Sequence, residues 1–343
     1  MRILHTLFTR GFTGTERHVT DLCNYQAKEH QVALLVRYDY AYTRDVNFLN
    51  WVSPEVEIFK ASRYFPPPWI WWHVARWKPD IIHSHHKRDV KYIGRCVKSI
   101  PKVGTMHMRY QSEYQRCNGL ICIADWQRDT IPARFDGQVM QISNWLPPRA
   151  SGVVQGASCN LRRELGIPED AYVVGSMGRF APEKGFADLA DAFVKAGMPN
   201  SHLVIVGEGL DREGMLRKHA EQRIILPGAT SDPFLYYDLF DVFVLPSRFE
   251  PFGLVLLEAM SAQLPIISTT LGGPMEILPK DEVMWVEAGN VDSMASVLAE
   301  AYGMGRRKPV VYDLSKFRIE TQVAKIYAFY QQVLSAHHAG PAI

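Results

Sequence analysis

The sequence predicts an α/β protein built from two Rossmann-like, doubly wound domains. Three observations carry that prediction. Short apolar runs alternate with amphipathic stretches through most of the chain, the pattern of a parallel sheet with helices on both faces. The alternation lapses over residues 145–160, where Pro, Gly and Ser replace periodicity, and then starts again. In both halves a strand-like run leads through a Gly-containing corner into a helix, which points free backbone N–H groups at a crevice above the sheet.

The first-half strands are expected at Ile3–Phe8, Val32–Val36, Val56–Phe59, Ile81–His85, Val103–His107, Leu120–Ala124 and Val139–Ile142. Each is a run of strand length, and helical stretches such as Glu16–Glu29 and Ile70–Trp77 separate several of them. The second-half strands are expected at Tyr172–Ser176, Leu203–Val206, Ile224–Leu226, Val242–Leu245, Ile266–Ser268 and Val283–Val286. Between them, Ala187–Lys195 reads as a helix because Leu189 and Phe193 lie four apart. A final helix, about Lys316–Ser335, places Val323, Ile326, Tyr327, Tyr330, Val333 and Leu334 on one face. The tail His337-His338-Ala339-Gly340-Pro341 is expected to fray. The expected organisation is a first domain of residues 1–150, a second of 151–315, and a C-terminal helix, 316–343, crossing back to the first.

The charge is uneven. Residues 1–150 hold 21 Lys and Arg against 13 Asp and Glu, a surplus of +8 that favours an anionic partner such as a membrane surface. No helix-turn-helix, RNP or zinc-finger pattern supports nucleic acid. The five cysteines, Cys23, Cys96, Cys117, Cys122 and Cys159, are scattered and contain no C-x-x-C, which suits reduced thiols. Met1 leads straight into a strand-like pattern, and no apolar run approaches the roughly 18 residues of a membrane span.

The most informative stretch is Ser247-Arg248-Phe249-Glu250-Pro251-Phe252-Gly253-Leu254-Val255-Leu256-Leu257-Glu258. Pro251 and Gly253 suit the first turn of a helix whose apolar face is Leu254, Leu257 and Met260. The helix start attracts phosphate, while Glu250 and Glu258 repel it and so suit hydroxyls. A ligand with hydroxyls on both sides of a diphosphate is a nucleotide sugar. The plainer reading is an ordinary corner with two solvated glutamates. Gly175-Ser176-Met177-Gly178-Arg179-Phe180-Ala181-Pro182-Glu183-Lys184-Gly185 is a second strand-to-helix turn, where Arg179 and Lys184 would converge on a diphosphate. It matches neither a Walker loop nor Gly-x-Gly-x-x-Gly. Thr13-Gly14-Thr15-Glu16 is a third such turn, either a phosphate loop or a simple cap with Glu16 in the first turn.

Together, the Gly178-Arg179 to Gly185 turn, the Glu250/Glu258 pair with seven residues between, and Gly272-Gly273-Pro274-Met275-Glu276 resemble retaining glycosyltransferases of family 4. Those enzymes have the GT-B fold, two Rossmann-like domains facing across a cleft. Pro79-Asp80-Ile81-Ile82-His83, Thr105-Met106-His107, Val206-Gly207-Glu208-Gly209 and Phe240–Ser247 strengthen the resemblance. Two departures are Thr13, where the family's Gly-Gly-x-Glu loop has a glycine, and Trp145 after Asn144, where a glycine is usual.

The resemblance implies a catalytic set of His107, Arg179, Lys184 and Glu250. Glu250 would hold hydroxyls of the transferred sugar, and Glu258 those of the ribose. Backbone N–H groups of Phe252, Gly253, Leu254 and Val255 would meet sugar and phosphate. Gly14 and Gly178 would let the donor approach, and the turn at Gly228 and Ala229 would meet the base. Arg179 and Lys184 would stabilise the departing diphosphate. His107 would sit near the donor sugar.

No Asp-x-Asp is present, and His83, His85 and His86 have no nearby Cys or acidic cluster to complete a site, so no metal and no cofactor beyond the nucleotide-sugar co-substrate are expected. Arg63–Lys78 holds four tryptophans among cations. It suits a membrane interface, a helix with its rings in the core, or a mixture in which Ile70 and Val74 face the sheet while the Trp rings reach outward. The expected partners are a nucleotide-sugar donor, a glycan or glycolipid acceptor of lipopolysaccharide-core or lipid-linked type, and an anionic membrane, with no nucleic acid. The expected location is cytoplasmic, at the inner face of the plasma membrane. The alternatives are a nucleotide-sugar epimerase or phosphorylase of the same fold, and a non-catalytic nucleotide- or glycan-binding protein.

Overall fold

A computed structural model describes residues 1–9, 14–37, 48–62, 64–147, 157–210, 212–218 and 223–339, the side chains of 157–159 and 216–217 excepted. The chain divides into two compact units, Met1–Trp145 with Lys316–Ile343, and Leu146–Ser315.

The first unit is built on a parallel seven-stranded sheet of β1 (Arg2–Leu7), β2 (Gln31–Arg37), β3 (Glu57–Ala61), β4 (Ile81–Ser84), β5 (Lys102–Met106), β6 (Gly119–Cys122) and β7 (Gln138–Gln141), in the order β3-β2-β1-β4-β5-β6-β7. The second holds a parallel six-stranded sheet of β8 (Tyr172–Met177), β9 (Ser201–Val206), β10 (Ile224–Gly228), β11 (Val242–Leu245), β12 (Ile266–Thr269) and β13 (Met284–Val286), in the order β10-β9-β8-β11-β12-β13. Both sheets reverse their winding once, between β1 and β4 and between β8 and β11. Ligands of open α/β sheets bind at the carboxyl ends of strands beside such a reversal.

Strand alternation explains the two-sided core of the first unit. Ile3 packs with Leu22, Ile326, Phe329 and Tyr330 on one face, and its neighbour Leu4 with Ile70, Val74 and Ile93 on the other. The last helix, Ile319–Ala339, lies on the Ile3 face through Val323, Ile326, Phe329, Tyr330 and Val333. Phe329, absent from the expected stripe, is 1% exposed, whereas Tyr327 and Leu334 are only partly buried. In the second unit β8 and β9 pack through Val174, Leu203 and Ile205 against the helices Phe186–Ala196 and Val291–Gly303.

The helix Pro67–Trp77 takes the mixed arrangement. Ile70 and Val74 are buried, while Trp69, Trp71 and Trp72 are 50%, 65% and 51% exposed. Trp77 is partly buried, its Nε1 donating to Glu57. Arg63 lies outside the described residues, as do Thr13, Gly152 and the end of the tail from Gly340. Among the described residues, Cys23, Cys96, Cys117 and Cys122 are not joined in disulfides.

Candidate active site

The loop after β8 and the corner after β11 are tied together at the second sheet's winding reversal. Pro182–Lys184 makes one 3₁₀ turn, closed by Gly185 at φ 68. A Cβ on Gly185 would sit 2.1 Å from the Pro246 carbonyl oxygen, so only glycine lets this loop reach β11. The backbone N–H groups of Arg248 and Phe249 then donate to the Glu183 carbonyl at 2.8 and 3.2 Å. Arg248 makes a two-pronged bond to Asp188, 2.8 Å on each arm, and Thr269 Oγ1 donates to the Ser247 carbonyl at 2.8 Å. Within this frame Lys184 Nζ meets Glu250 Oε2 at 2.7 Å. The Glu250 side chain is 8% exposed and that of Lys184 22%, so the pair is well shielded from water. Glu250 is therefore not the solvated glutamate of the plainer reading.

The helix after Glu250 spans Leu254–Ser261, so Pro251 and Gly253 precede it and do not form its first turn as expected. Gly253 stands at φ 103, outside helical space, and the helix can begin only after it. The Leu256 N–H is taken by the Gly253 carbonyl at 2.9 Å, and the other N–H groups of the first turn have no acceptor inside the helix. Leu254 is half-buried, whereas Leu256 to Met260 are all buried, so the expected Leu254–Leu257–Met260 stripe widens to nearly the whole circumference. Glu258 is 5% exposed, and Tyr237, on the helix Pro233–Leu239, donates its hydroxyl to Glu258 Oε2 at 2.8 Å.

The other expected residues lie as follows. Arg179 pairs with Glu183 at 2.5 Å, its side chain 62% exposed, and stands outside the Lys184–Glu250 bond. Gly178 follows β8 and donates its N–H to Val206. Gly228 ends β10, two places from β8 and thus roughly 10 Å away across the sheet, and Ala229 beyond it is exposed. Phe252 is buried, and the Val255 carbonyl takes a long 3.3 Å bond from Tyr237. In the first unit, Gly14 opens the helix Gly14–Gln26, and Glu16 is buried at 1% exposure, bonded by the Thr9 hydroxyl.

His107 follows β5 directly, in a crowd of imidazoles at the first sheet's reversal. His5 lies on β1, His83 on β4, His85 just beyond it and His18 on Gly14–Gln26. His83 is held by Tyr330 (2.6 Å) and Thr105 (2.7 Å), and His5 by Gln26 (2.7 Å) and His85 (3.0 Å). Burial pushes these rings toward the neutral form, His5 to about 4 and His18 to about 3, with His83, His85 and His107 well below the usual range. The sequence reading passed over His5, His18, Tyr237 and the Asp188–Arg248 pair. Their partners lie from 21 positions away, as for His5 and Gln26, to 127, as for His18 and Trp145, and no local spacing signals such contacts.

Among the described residues no helix is long and apolar enough to cross a membrane. The family model "Glycosyl transferases group 1" matches residues 159–307, and "Glycosyltransferase Family 4" matches residues 12–153. The chain is 28% identical over 254 residues to an uncharacterized glycosyltransferase of Methanocaldococcus jannaschii, a match covering 64% of the chain and 65% of that relative, just under two thirds of its length. It is 26% identical over 317 residues to the lipopolysaccharide core biosynthesis glycosyltransferase LpsD of Rhizobium meliloti, covering 87% of each. The Anabaena HepE structure, a complex with UDP and glucose, superposes with a TM-score of 0.73 at 18% identity, over 98% of this chain and 97% of that one. With two parallel α/β units of this winding and both family models matched along its length, the chain belongs to the family 4 glycosyltransferases and is a glycosyltransferase of the GT-B fold.

Proposed function

We propose that the chain transfers a sugar, with retention at the anomeric carbon, from a nucleoside-diphosphate donor to a hydroxyl of a lipopolysaccharide-core or lipid-linked glycan. The observation that carries this reading is the shielded Lys184–Glu250 pair beside the start of the helix Leu254–Ser261. Residues 151–315 hold the donor in this reading, and residues 1–150 the acceptor. The diphosphate lies at the helix start, where N–H groups and the helix dipole favour negative charge. Lys184 turns part of its charge from Glu250 to the β-phosphate as the bond to the sugar breaks, and so stabilises the departing nucleotide. Glu250 grips sugar hydroxyls, and Glu258, oriented by Tyr237, grips the ribose. Arg179 gives up only an exposed pair with Glu183, worth about 0–1 kcal/mol, when it swings to the phosphate. Retention is supported by the family resemblance of the Glu250/Glu258 spacing. The acceptor class is supported by the likeness to LpsD.

The exposed rings of Trp69, Trp71 and Trp72, with Arg76 and Lys78 at the helix end, support an anionic membrane as the acceptor's setting. Co-sedimentation with phosphatidylglycerol vesicles is expected to fall with salt and with Trp71→Ser/Trp72→Ser; binding indifferent to both removes the membrane element.

The test of the central reading is turnover of UDP-, GDP- and ADP-sugars with a lipid-linked acceptor, following released nucleotide and the anomeric proton of the product. Lys184→Ala and Glu258→Ala are expected to abolish turnover while the protein stays folded. Full turnover in either variant overturns the assignment, and an inverted product overturns retention alone.

A further inference from the structure

His107 follows β5, and its ring is held differently from those of its neighbours. Both ring nitrogens of His5 and both of His83 are in hydrogen bonds, so their own polar atoms fix those rings. His107 Nε2 and His18 Nδ1 are buried atoms without a hydrogen-bond partner among the described residues. Ring packed on ring does for these two what hydrogen bonds do for the others. Among the described rings, His18 comes nearest to His107, edge-on with centroids 5.4 Å apart, ahead of His85 at 6.0 Å and His86 at 6.4 Å.

His18 in turn lies nearly parallel to Trp145, with centroids 4.0 Å apart and planes 24° apart. Trp145 is 1% exposed, packs in the core that holds Ile3, Ile142 and Tyr330, and is the last residue of the first unit before the chain leaves it. Its side chain also bonds the Asp21 carboxyl. His18 and Asp21 lie three apart on the helix Gly14–Gln26, which brings them to one face. One indole thus grips the helix twice, by stacking and by a polar contact. A ring in a close-packed interior moves only if its neighbour gives way. Trp145 stands where the resembled family has a glycine, which has no side chain to back His18.

We propose that Trp145 is a positioning residue for sugar transfer, holding the His107 ring in place by backing the ring of His18. This role presupposes the sugar-transfer reading and the place near the donor sugar that the resemblance gives His107. Without the indole, a space opens behind His18, the imidazole retreats into it, and His107 loses its nearest ring contact. His107 Nε2, left without a protein partner, then strays from the sugar hydroxyl it would meet. A shift of about 1 Å in a reacting geometry costs roughly a hundredfold in rate. In the same reading the second unit holds the nucleotide, so donor affinity does not depend on Trp145.

The experiment is a double-mutant cycle on kcat. Nucleotide release is followed for the unaltered chain, Trp145→Gly, His107→Ala and both changes together, with a lipid-linked acceptor and the UDP-, GDP- or ADP-sugar that the unaltered chain turns over best. Trp145→Gly is expected to lower kcat roughly ten- to a hundredfold while donor KM stays within about twofold. In the His107→Ala background the same change should lower kcat less than about threefold, because the group it positions is gone. Trp145→Phe, which keeps a ring on His18, should retain most of the rate. A Trp145 that only fills the core would act through stability and give equal losses in both backgrounds. That result, an unchanged kcat in Trp145→Gly, or full kcat in His107→Ala overturns the proposal. Trp145→Leu, which leaves an apolar side chain in the core but no ring on His18, serves in the same cycle if Trp145→Gly fails to fold. Equal losses in an active chain overturn the Trp145 role alone, whereas an unaltered chain that turns over no donor overturns sugar transfer and this role with it.

Discussion

Removing the Lys184 ammonium should loosen the second unit in a way that depends on Glu250. At 2.7 Å and an effective dielectric near 20, the two charges attract by roughly 6 kcal/mol before desolvation is subtracted. Breaking such a pair from one side costs about 3–5 kcal/mol, because a buried charge stays behind uncompensated. Lys184 keeps 22% of its side chain in water, which points to the lower end, about 3 kcal/mol for Lys184→Ala. Lys184→Met with Glu250→Gln leaves no charge and should cost less than the two single changes together, with a coupling of about 2 kcal/mol. The assay is native-state hydrogen exchange at the amides of Tyr172–Met177 and Val242–Leu245, which reads the second unit by itself and avoids assuming that both units unfold together. Exchange in Lys184→Ala should speed up about a hundredfold or more. Additive single changes, with coupling below about 0.5 kcal/mol, would refute a shielded, mutually dependent pair.

Three other outcomes follow from the same geometry. Tyr237→Phe removes the hydroxyl that holds Glu258 and should weaken nucleotide-sugar binding by about tenfold, read by titration calorimetry; an unchanged affinity means that this bond does not orient Glu258. Gly185→Ala and Gly166→Ala share a φ of 68, but only the first puts a Cβ against a carbonyl, since nothing lies within 4 Å of the second. Gly166→Ala should therefore cost about 1–2 kcal/mol and Gly185→Ala clearly more, with loss of turnover, and equal melting temperatures would deny the close approach. Asp21 is pushed up to about 6, first by burial, against the pull of Arg17 and of a bond from Trp145. A raised acid favours the folded state fully below its unfolded value of 3.8 and loses that contribution as pH rises through about 6. Asp21→Asn should thus stabilise the first unit above pH 6, by no more than about 3 kcal/mol, with the gain fading toward pH 4 in pH-dependent denaturation.

The strands were legible because a parallel sheet covered on both faces demands short, continuous apolar runs, and runs such as Val242–Leu245 have no other use. The restart of the pattern after residue 145 announced a second sheet for the same reason. The corner at 247–258 could be read as a ligand site because a strand end, glycine and paired carboxylates sit together in the chain. Its helix starts three residues later than the sequence suggests, because a glycine can sit inside a first turn or before it, and only the folded path puts Gly253 at φ 103.

Local order along the chain thus determined the elements, the fold class and the identity of the acids and cations at the second sheet's reversal. The tertiary structure alone decided which of them meet. It joined Lys184 to Glu250 across 66 positions, turned Arg179 to Glu183, and gave Glu258 its hydroxyl from Tyr237. It also gathered histidines from two strands, two strand ends and a helix into one group, whose rings burial pushes toward the neutral form. Periodicity reports which face a side chain takes, because that depends on nearest neighbours in sequence. Which partner waits on that face depends on strand order and register, and those are properties of the folded sheet.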